Sequence, residues 1–159
     1  MNKFTHIKKK KISMVDISKK SKTIREAHSF GEVKFTNETF KIIKKKGSPK
    51  GELLSVSKIA AIQAVKRTSE LIPLCHNLKI DNIDIEFEFS EKKQSILILS
   101  KVKTTENTGV EMEALTATSI AALTIYDMCK SLDKNISIKN ISLKFKSGGK
   151  SGIYKNDKL

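Results

Sequence analysis

Ile83-Asp84-Ile85-Glu86-Phe87-Glu88-Phe89 alternates a large apolar side chain with an acid at every step. Successive side chains of an extended strand point to opposite faces, so this run predicts a strand packed on one side and wet on the other. Ser95 to Thr105 is a second extended stretch, and Ser90-Glu91-Lys92-Lys93 between the two makes them a hairpin. Outward from the hairpin, Ile136 to Phe145 and Ile24 to Phe35 alternate in the same way, the latter interrupted at Gly31.

The dry face of such a sheet needs a cover, and three segments read as helices. Asn37 is a candidate N-cap for the short helix Glu38 to Ile43, with its acid at the favourable end of the dipole. Leu53, Val56, Ile59, Ala60, Ala64 and Leu71 recur near helical spacing, so Glu52 to Leu71 is expected to form one helix, ended by Pro73. Between these two, Lys44 to Gly51 is a loop by its Gly and Pro content. The third and longest helix spans Gly109 to Lys130. The fold class is therefore α+β: one domain, with an antiparallel or mixed sheet covered on one face by helices. Residues 1–12 form a flexible basic lead, 13–152 the domain and 153–159 a C-terminal tail.

The long helix also carries charges that packing does not explain. Glu111 and Glu113 stand near its start, and Asp127 and Lys130 near its end, among Ala, Leu and Ile. A charge on an apolar helix is costly unless it is paired or used. Glu111 and Glu113 would point about 200° apart on a regular helix, so both can face one ligand only if the helix starts near Glu113. Asp127 and Lys130 share a face, either as a surface ion pair or as a functional acid and base. Glu113 and Asp127 are separated by about 21 Å of helical rise, so one small reacting centre cannot touch both ends within a single chain. Two sites, a long ligand or a second subunit must reconcile them.

Composition narrows the function. The formal net charge is +14, which invites a nucleic-acid partner, yet only two of the 31 basic residues are arginines, Arg25 and Arg67. Base reading and bidentate phosphate contacts favour Arg, and a chain with 6% aromatic residues and no Trp has little to stack on bases. A basic nucleic-acid-binding module stays as the alternative, and an anionic small molecule fits the charge equally well. No apolar run approaches the roughly 20 residues that span a bilayer, and the N-terminus has no signal-peptide core. Cys75 and Cys129 form no metal-type pair, so neither a zinc site nor a disulfide framework is expected, and reduced thiols suit a cytoplasmic protein.

Two further segments carry more polar function than packing needs. Leu71-Ile72-Pro73-Leu74-Cys75-His76 puts a thiol and an imidazole on a Pro-fixed connector, although a lone His is more often structural. Lys146-Ser147-Gly148-Gly149-Lys150-Ser151-Gly152 has the composition of an anion cradle or of a loose turn. It is no P-loop, because Lys144 stands where that motif requires Gly and no helix follows.

Together these strings resemble the cyclic pyranopterin monophosphate synthase family of molybdenum cofactor biosynthesis. The likeness runs through Thr5-His6-Ile7, Met14 to Ser18, Lys50 to Leu53, Lys58 to Ala60, Ala64 to Thr68 and Leu71 to His76. It continues through Thr108 to Thr116, Ala121 to Lys130 and Lys146 to Gly152, covering about residues 5–152. The resemblance implies a ferredoxin-like fold and a homohexamer, a trimer of dimers, with active sites at subunit interfaces. It implies a phosphorus–oxygen lyase that converts (8S)-3′,8-cyclo-7,8-dihydroguanosine 5′-triphosphate to cyclic pyranopterin monophosphate and pyrophosphate.

By the same match the catalytic residues fall on Asp127, Lys130 and Lys50. Leu74, Cys75, His76, Glu111, Met112 and Glu113 fall on substrate-contacting positions, and Arg25, Lys66 and Lys146 on triphosphate-contacting ones, with Asp16 nearby. Such chemistry needs repeated proton transfers and cations that offset charge as pyrophosphate leaves. No cofactor is expected, with Mg²⁺ assistance left open, and neither nucleic acid nor membrane is an expected partner. Asn77 stands where the family has Pro, and Lys58 where Arg is common.

Overall fold

The acid-striped segment is a strand in the computed structural model, which describes residues 7–8, 11–150 and 152–157. The elements in chain order are β1 (Ile7–Lys8), β2 (Lys11–Ile12), β3 (Thr23–Lys34), α1 (Asn37–Lys46), α2 (Leu53–Lys66) and α3 (Thr68–Leu71). They continue as β4 (Asn82–Ser90), β5 (Ser95–Glu106), α4 (Glu111–Cys129), β6 (Ser137–Ser147) and β7 (Tyr154–Lys155). Five strands form one antiparallel sheet in the order β4-β5-β3-β6-β7, and β1 pairs with β2 apart from it. With α1 and α2 leading from β3 to β4, and α4 from β5 to β6, this is the βαββαβ ferredoxin-like arrangement.

Alternation decides which face is covered. Ile85 of β4, Ile96, Ile98 and Val102 of β5, and Ala27 and Val33 of β3 are buried beneath the helices. Asp84, Glu86 and Glu88 take the opposite face of β4 by the strand's period. α4 lies across the centre of the sheet, burying Ala114, Ala117, Ala121, Ala122 and Ile125. These small residues let helix and sheet approach closely. At Gly31 a Cβ would come within 2.5 Å of Thr118 Cγ2, so the glycine expected to interrupt β3 instead makes room for α4, and the strand runs on through it. Beneath that contact, Ser29 Oγ donates to Ala114 O at 2.6 Å and meets the Thr118 hydroxyl, which in turn pairs with Ser100 Oγ at 2.8 Å. Every member of this buried cluster is satisfied, so it pins the first half of α4 to β3 and β5.

Three boundaries depart from the sequence reading. The α1 cap is Thr36 rather than Asn37: Thr39 N–H donates to Thr36 Oγ1, while Thr36 itself donates to Asp133 through its N–H at 2.9 Å and its hydroxyl at 3.0 Å. The helix expected over 52–71 breaks at Arg67 into α2 and α3, and Thr68 Oγ1 donates back to Ala64 O across the break. Beyond residue 152, Tyr154 and Lys155 pair with Lys146 and Phe145, so the sheet takes in part of the C-terminal tail. Most of the expected basic lead, Thr5-His6 within it, and Ser151 lie outside the described residues.

Candidate active site

The start of α4 forms the floor of two adjoining recesses. Gly109 precedes the helix, and a Cβ there would fall 2.0 Å from Glu111 Oε2, so only glycine lets the Glu111 carboxylate fold back over the turn. Glu111 Oε1 accepts from Lys146 Nζ at 2.9 Å. The helix begins at Glu111, not near Glu113, yet both acids border one recess, because that recess sits over the first turn rather than along one side. The dipole favours negative charge at this end.

Glu113 is 4% exposed, and burial pushes its carboxyl up to about 7, with the neighbouring Glu111 charge adding to the rise. It is therefore poised between donor and acceptor at neutral pH. Cys75, in the same recess, has its thiol raised first by burial and then by Glu113. His76 Nε2 pairs with Val15 O at 2.8 Å; a carbonyl only accepts, so Nε2 carries the hydrogen and donates it. Leu74, Cys75, His76, Met112, Glu111 and Glu113 thus surround one space of about 300 Å³.

The adjoining recess, of about 570 Å³, shares Lys20, Thr108, Gly109 and Glu111 with the first. Arg25 forms part of its wall, held by Nε to Glu106 O at 2.9 Å and by Nη2 to Asn107 O at 3.3 Å. The 146–150 segment closes over it. Gly148 and Gly149 take φ of +90° and +71°, and a Cβ on Gly149 would lie 2.3 Å from Arg25 Nη1. Lys150 and Lys20 line this space together with Arg25, so three cationic side chains border it.

Asp127, Lys50 and Lys130 form a separate group at the other end of α4. Asp127 Oδ2 accepts from Lys50 Nζ at 2.7 Å and Oδ1 pairs with Lys130 Nζ at 2.7 Å. The lysines hold the carboxyl down at about 2, Lys130 contributing most, and Asp127 in turn raises Lys130. All three side chains are about half exposed. The helical rise of roughly 21 Å from Glu113 separates this group from the recesses within one chain.

Two expected residues stand aside from both groups. Lys66 is exposed and borders a third recess with Ile62, Ile80 and Asp81, joined to the first only through Leu78. Asp16 Oδ1 accepts from Ser18 N–H at 2.9 Å, turned onto its own segment beside Val15.

Comparison with known proteins gives this geometry a lineage. Residues 14–149 match the model of the MoaC family. The chain belongs to the MoaC family. Among curated relatives, a cyclic pyranopterin monophosphate synthase of Heliobacterium modesticaldum is 50% identical over 97% of this chain and 98% of its own. The synthase of Clostridium botulinum is 49% identical over 98% and 99%, and that of Trichodesmium erythraeum 52% over 90% and 86%.

Several residues at the site went unassigned in the sequence reading. Lys20 lines both recesses, and Asn107 ties the turn before α4 to the Asp16 segment by donating from Nδ2 to Ile17 O at 3.3 Å. Ser48 lies against Met128 O. None carries a motif; each is found only by its contacts. No helix among the described residues is long and apolar enough to cross a membrane.

Proposed function

We propose that this chain converts (8S)-3′,8-cyclo-7,8-dihydroguanosine 5′-triphosphate to cyclic pyranopterin monophosphate with release of pyrophosphate. As a member of its family it is a lyase of molybdenum cofactor biosynthesis. The relatives' names favour this enzyme over the nucleic-acid-binding module.

The observation that carries the reading is the Lys50–Asp127–Lys130 group: one carboxylate gripped by two lysines on an otherwise apolar helix. Exposed ion pairs contribute little to stability, so three such residues drawn together are better explained by chemistry than by folding. With its carboxyl near 2, resting Asp127 is a weak base, and the two ammonium groups are the proton donors. A lysine that has given up its proton is a free amine, the strongest base of the group, and takes the next proton, while Asp127 stays ionised and holds both lysines in place.

Glu111 and Glu113 suit the amino and ring N–H edge of a guanine-derived ring, with Leu74, Cys75, His76 and Met112 around it. Arg25 and Lys146 suit the triphosphate; Lys66, on a third recess, and Asp16, turned onto its own segment, are assigned to it by the family resemblance and not by their place in this chain. The distance of the recesses from Asp127 is met by assembly: the recess of one subunit and the triad of another complete each site in a cytoplasmic homohexamer, a trimer of dimers. No cofactor is required by these roles.

The test is incubation of the purified protein with the cyclised dihydro-GTP, reading pyrophosphate and the fluorescent pterin oxidation product. No product from folded, assembled protein would reject the proposal.

A further inference from the structure

Lys50 reaches Asp127 from a turn, not from a helix or strand, and its side chain is half exposed. An exposed lysine has a long, freely rotating stem, and its ion pair is too weak to hold a turn in place. Something else must fix the backbone beneath it. Gly47 and Gly51 bracket the turn with φ of +77° and +106°, and Gly51 N–H donates to Ser48 O at 3.2 Å. Those contacts shape the turn but do not attach it to α4.

Ser48 makes the attachment. Its hydroxyl donates to Met128 O at 2.8 Å and accepts from Lys50 N–H at 3.1 Å. Met128 O is among the last four carbonyls of α4, which have no partner within the helix. Tyr126 O and Cys129 O are taken by Lys130 N–H and Leu132 N–H, each at 2.9 Å. One oxygen atom therefore joins the helical turn that carries Asp127 and Lys130 to the backbone that carries Lys50.

We infer that Ser48 is a positioning residue for the Lys50–Asp127 contact, acting through the backbone of Lys50 and not on substrate. The inference rests on the proposed catalytic assignment of Lys50 for its effect on rate, but not for its effect on geometry. Ser48→Ala removes both hydrogen bonds, and the hydroxyl's contact with the Cys129 thiol, without adding bulk. Ser48→Thr keeps a hydroxyl able to make both.

Two readouts test it on the full-length assembled protein. In the first, kcat of Ser48→Ala falls roughly tenfold while KM changes less than about twofold, and Ser48→Thr recovers most of the loss. In the second, limiting acetic anhydride is followed by mass spectrometry of Lys50 and Lys130. Ser48→Ala acetylates several-fold faster at Lys50, with a smaller change at Lys130, because only Lys50 loses its tether. A helix end merely loosened would instead speed both lysines alike and raise KM with the fall in kcat, which overturns the inference. Unchanged Lys50 labelling in Ser48→Ala also overturns it, whatever the rate. Lys50→Ala separates this from the functional reading: if Lys50→Ala keeps near-normal kcat, the catalytic assignment fails, while the labelling result still judges Ser48.

Discussion

The two ends of α4 treat the same functional group in opposite ways. At its start Glu113 is sunk in the protein and its carboxyl rises to about 7; at its end Asp127 stands in solvent between two lysines and falls to about 2. Burial penalises the charged form because water no longer solvates it, whereas a paired cation stabilises that form directly. Side-chain type does not decide which acid holds its proton; surroundings do. One helix thus presents a carboxyl ready to donate or accept a hydrogen bond, and a carboxylate kept ionised to organise ammonium groups.

The largest test strikes the exposed end. Asp127→Asn keeps the shape and removes the charge that gathers Lys50 and Lys130, and kcat is expected to drop by about 10²–10⁴-fold. Because Asp127 is exposed, circular dichroism and gel filtration of the variant should match the parent. Near-normal turnover would show that the triad is surface decoration. Mixing Asp127→Asn with Glu111→Gln chains sharpens the comparison: hybrids regain turnover that neither parent has if the two ends serve one site across subunits. Absence of recovery in verified hybrids places them in separate roles.

The buried end is tested through stability. Glu113 binds its proton more tightly folded than unfolded, since about 7 exceeds the ordinary 4.5. Its favourable contribution is complete below pH 4.5 and is lost as pH rises through about 7. The loss is up to about 3 kcal/mol at 1.4 kcal/mol per pH unit of displacement, before local relaxation reduces it. Glu113→Gln carries no titrating proton, so its denaturation midpoint should be flat across that window where the parent's declines. Asp127 has the reverse sign: its stabilisation is present above the ordinary 3.8 and disappears as pH falls through about 2. A parent whose stability rises between pH 5 and 7 by way of Glu113 would break the comparison.

A smaller effect belongs to the wall of the Arg25 recess. Gly149→Ala forces a Cβ into left-handed backbone and against the Arg25 guanidinium. Left-handed geometry costs an L-residue roughly 1–2 kcal/mol, and the arginine can swing aside. The expected result is a modest drop in thermal midpoint with KM raised more than kcat is lowered. The opposite split would remove Arg25 from substrate holding.

Much of this was legible in the chain, for reasons that differ by region. Ile83 to Phe89 declared its strand because a period of two survives in any antiparallel sheet with one wet face. The span of α4 was readable to within two residues at each end, from its uninterrupted Ala and Leu content. Local signals failed where tertiary contacts decided. Asn37 lost the cap to Thr36, whose hydroxyl and N–H are fixed by Asp133 across 97 residues of sequence. Gly31 looked like an interruption because sequence does not show a helix pressing on a strand. At the site, motifs named Lys50, Asp127 and Lys130, but nothing local marked Ser48, since its role is a bond to a carbonyl 80 residues away. Glu111 and Glu113 were read as divergent by helical geometry, which omits that a recess over the helix end collects both.

The smallest prediction separates burial from pairing as causes. Salt screens exposed charges, with a Debye length near 10 Å at 0.1 M and about 3 Å at 1 M. Asp127 owes its low value first to its hydrogen bonds with Lys130 and Lys50 and only then to charge attraction, and the direct contacts are too short to be fully screened. Its carboxyl titration, followed by ¹³C NMR, should therefore move upward by only about a few tenths of a pH unit between those salt concentrations. Glu113 is displaced mainly by burial, which salt does not reach, and only secondarily by the like charge of Glu111. Its midpoint should hold nearly still or drift slightly down. Opposite drifts of unequal size, on one helix in one sample, follow only if desolvation governs one end and lysines the other; parallel drifts would mean that a shared field shifts both.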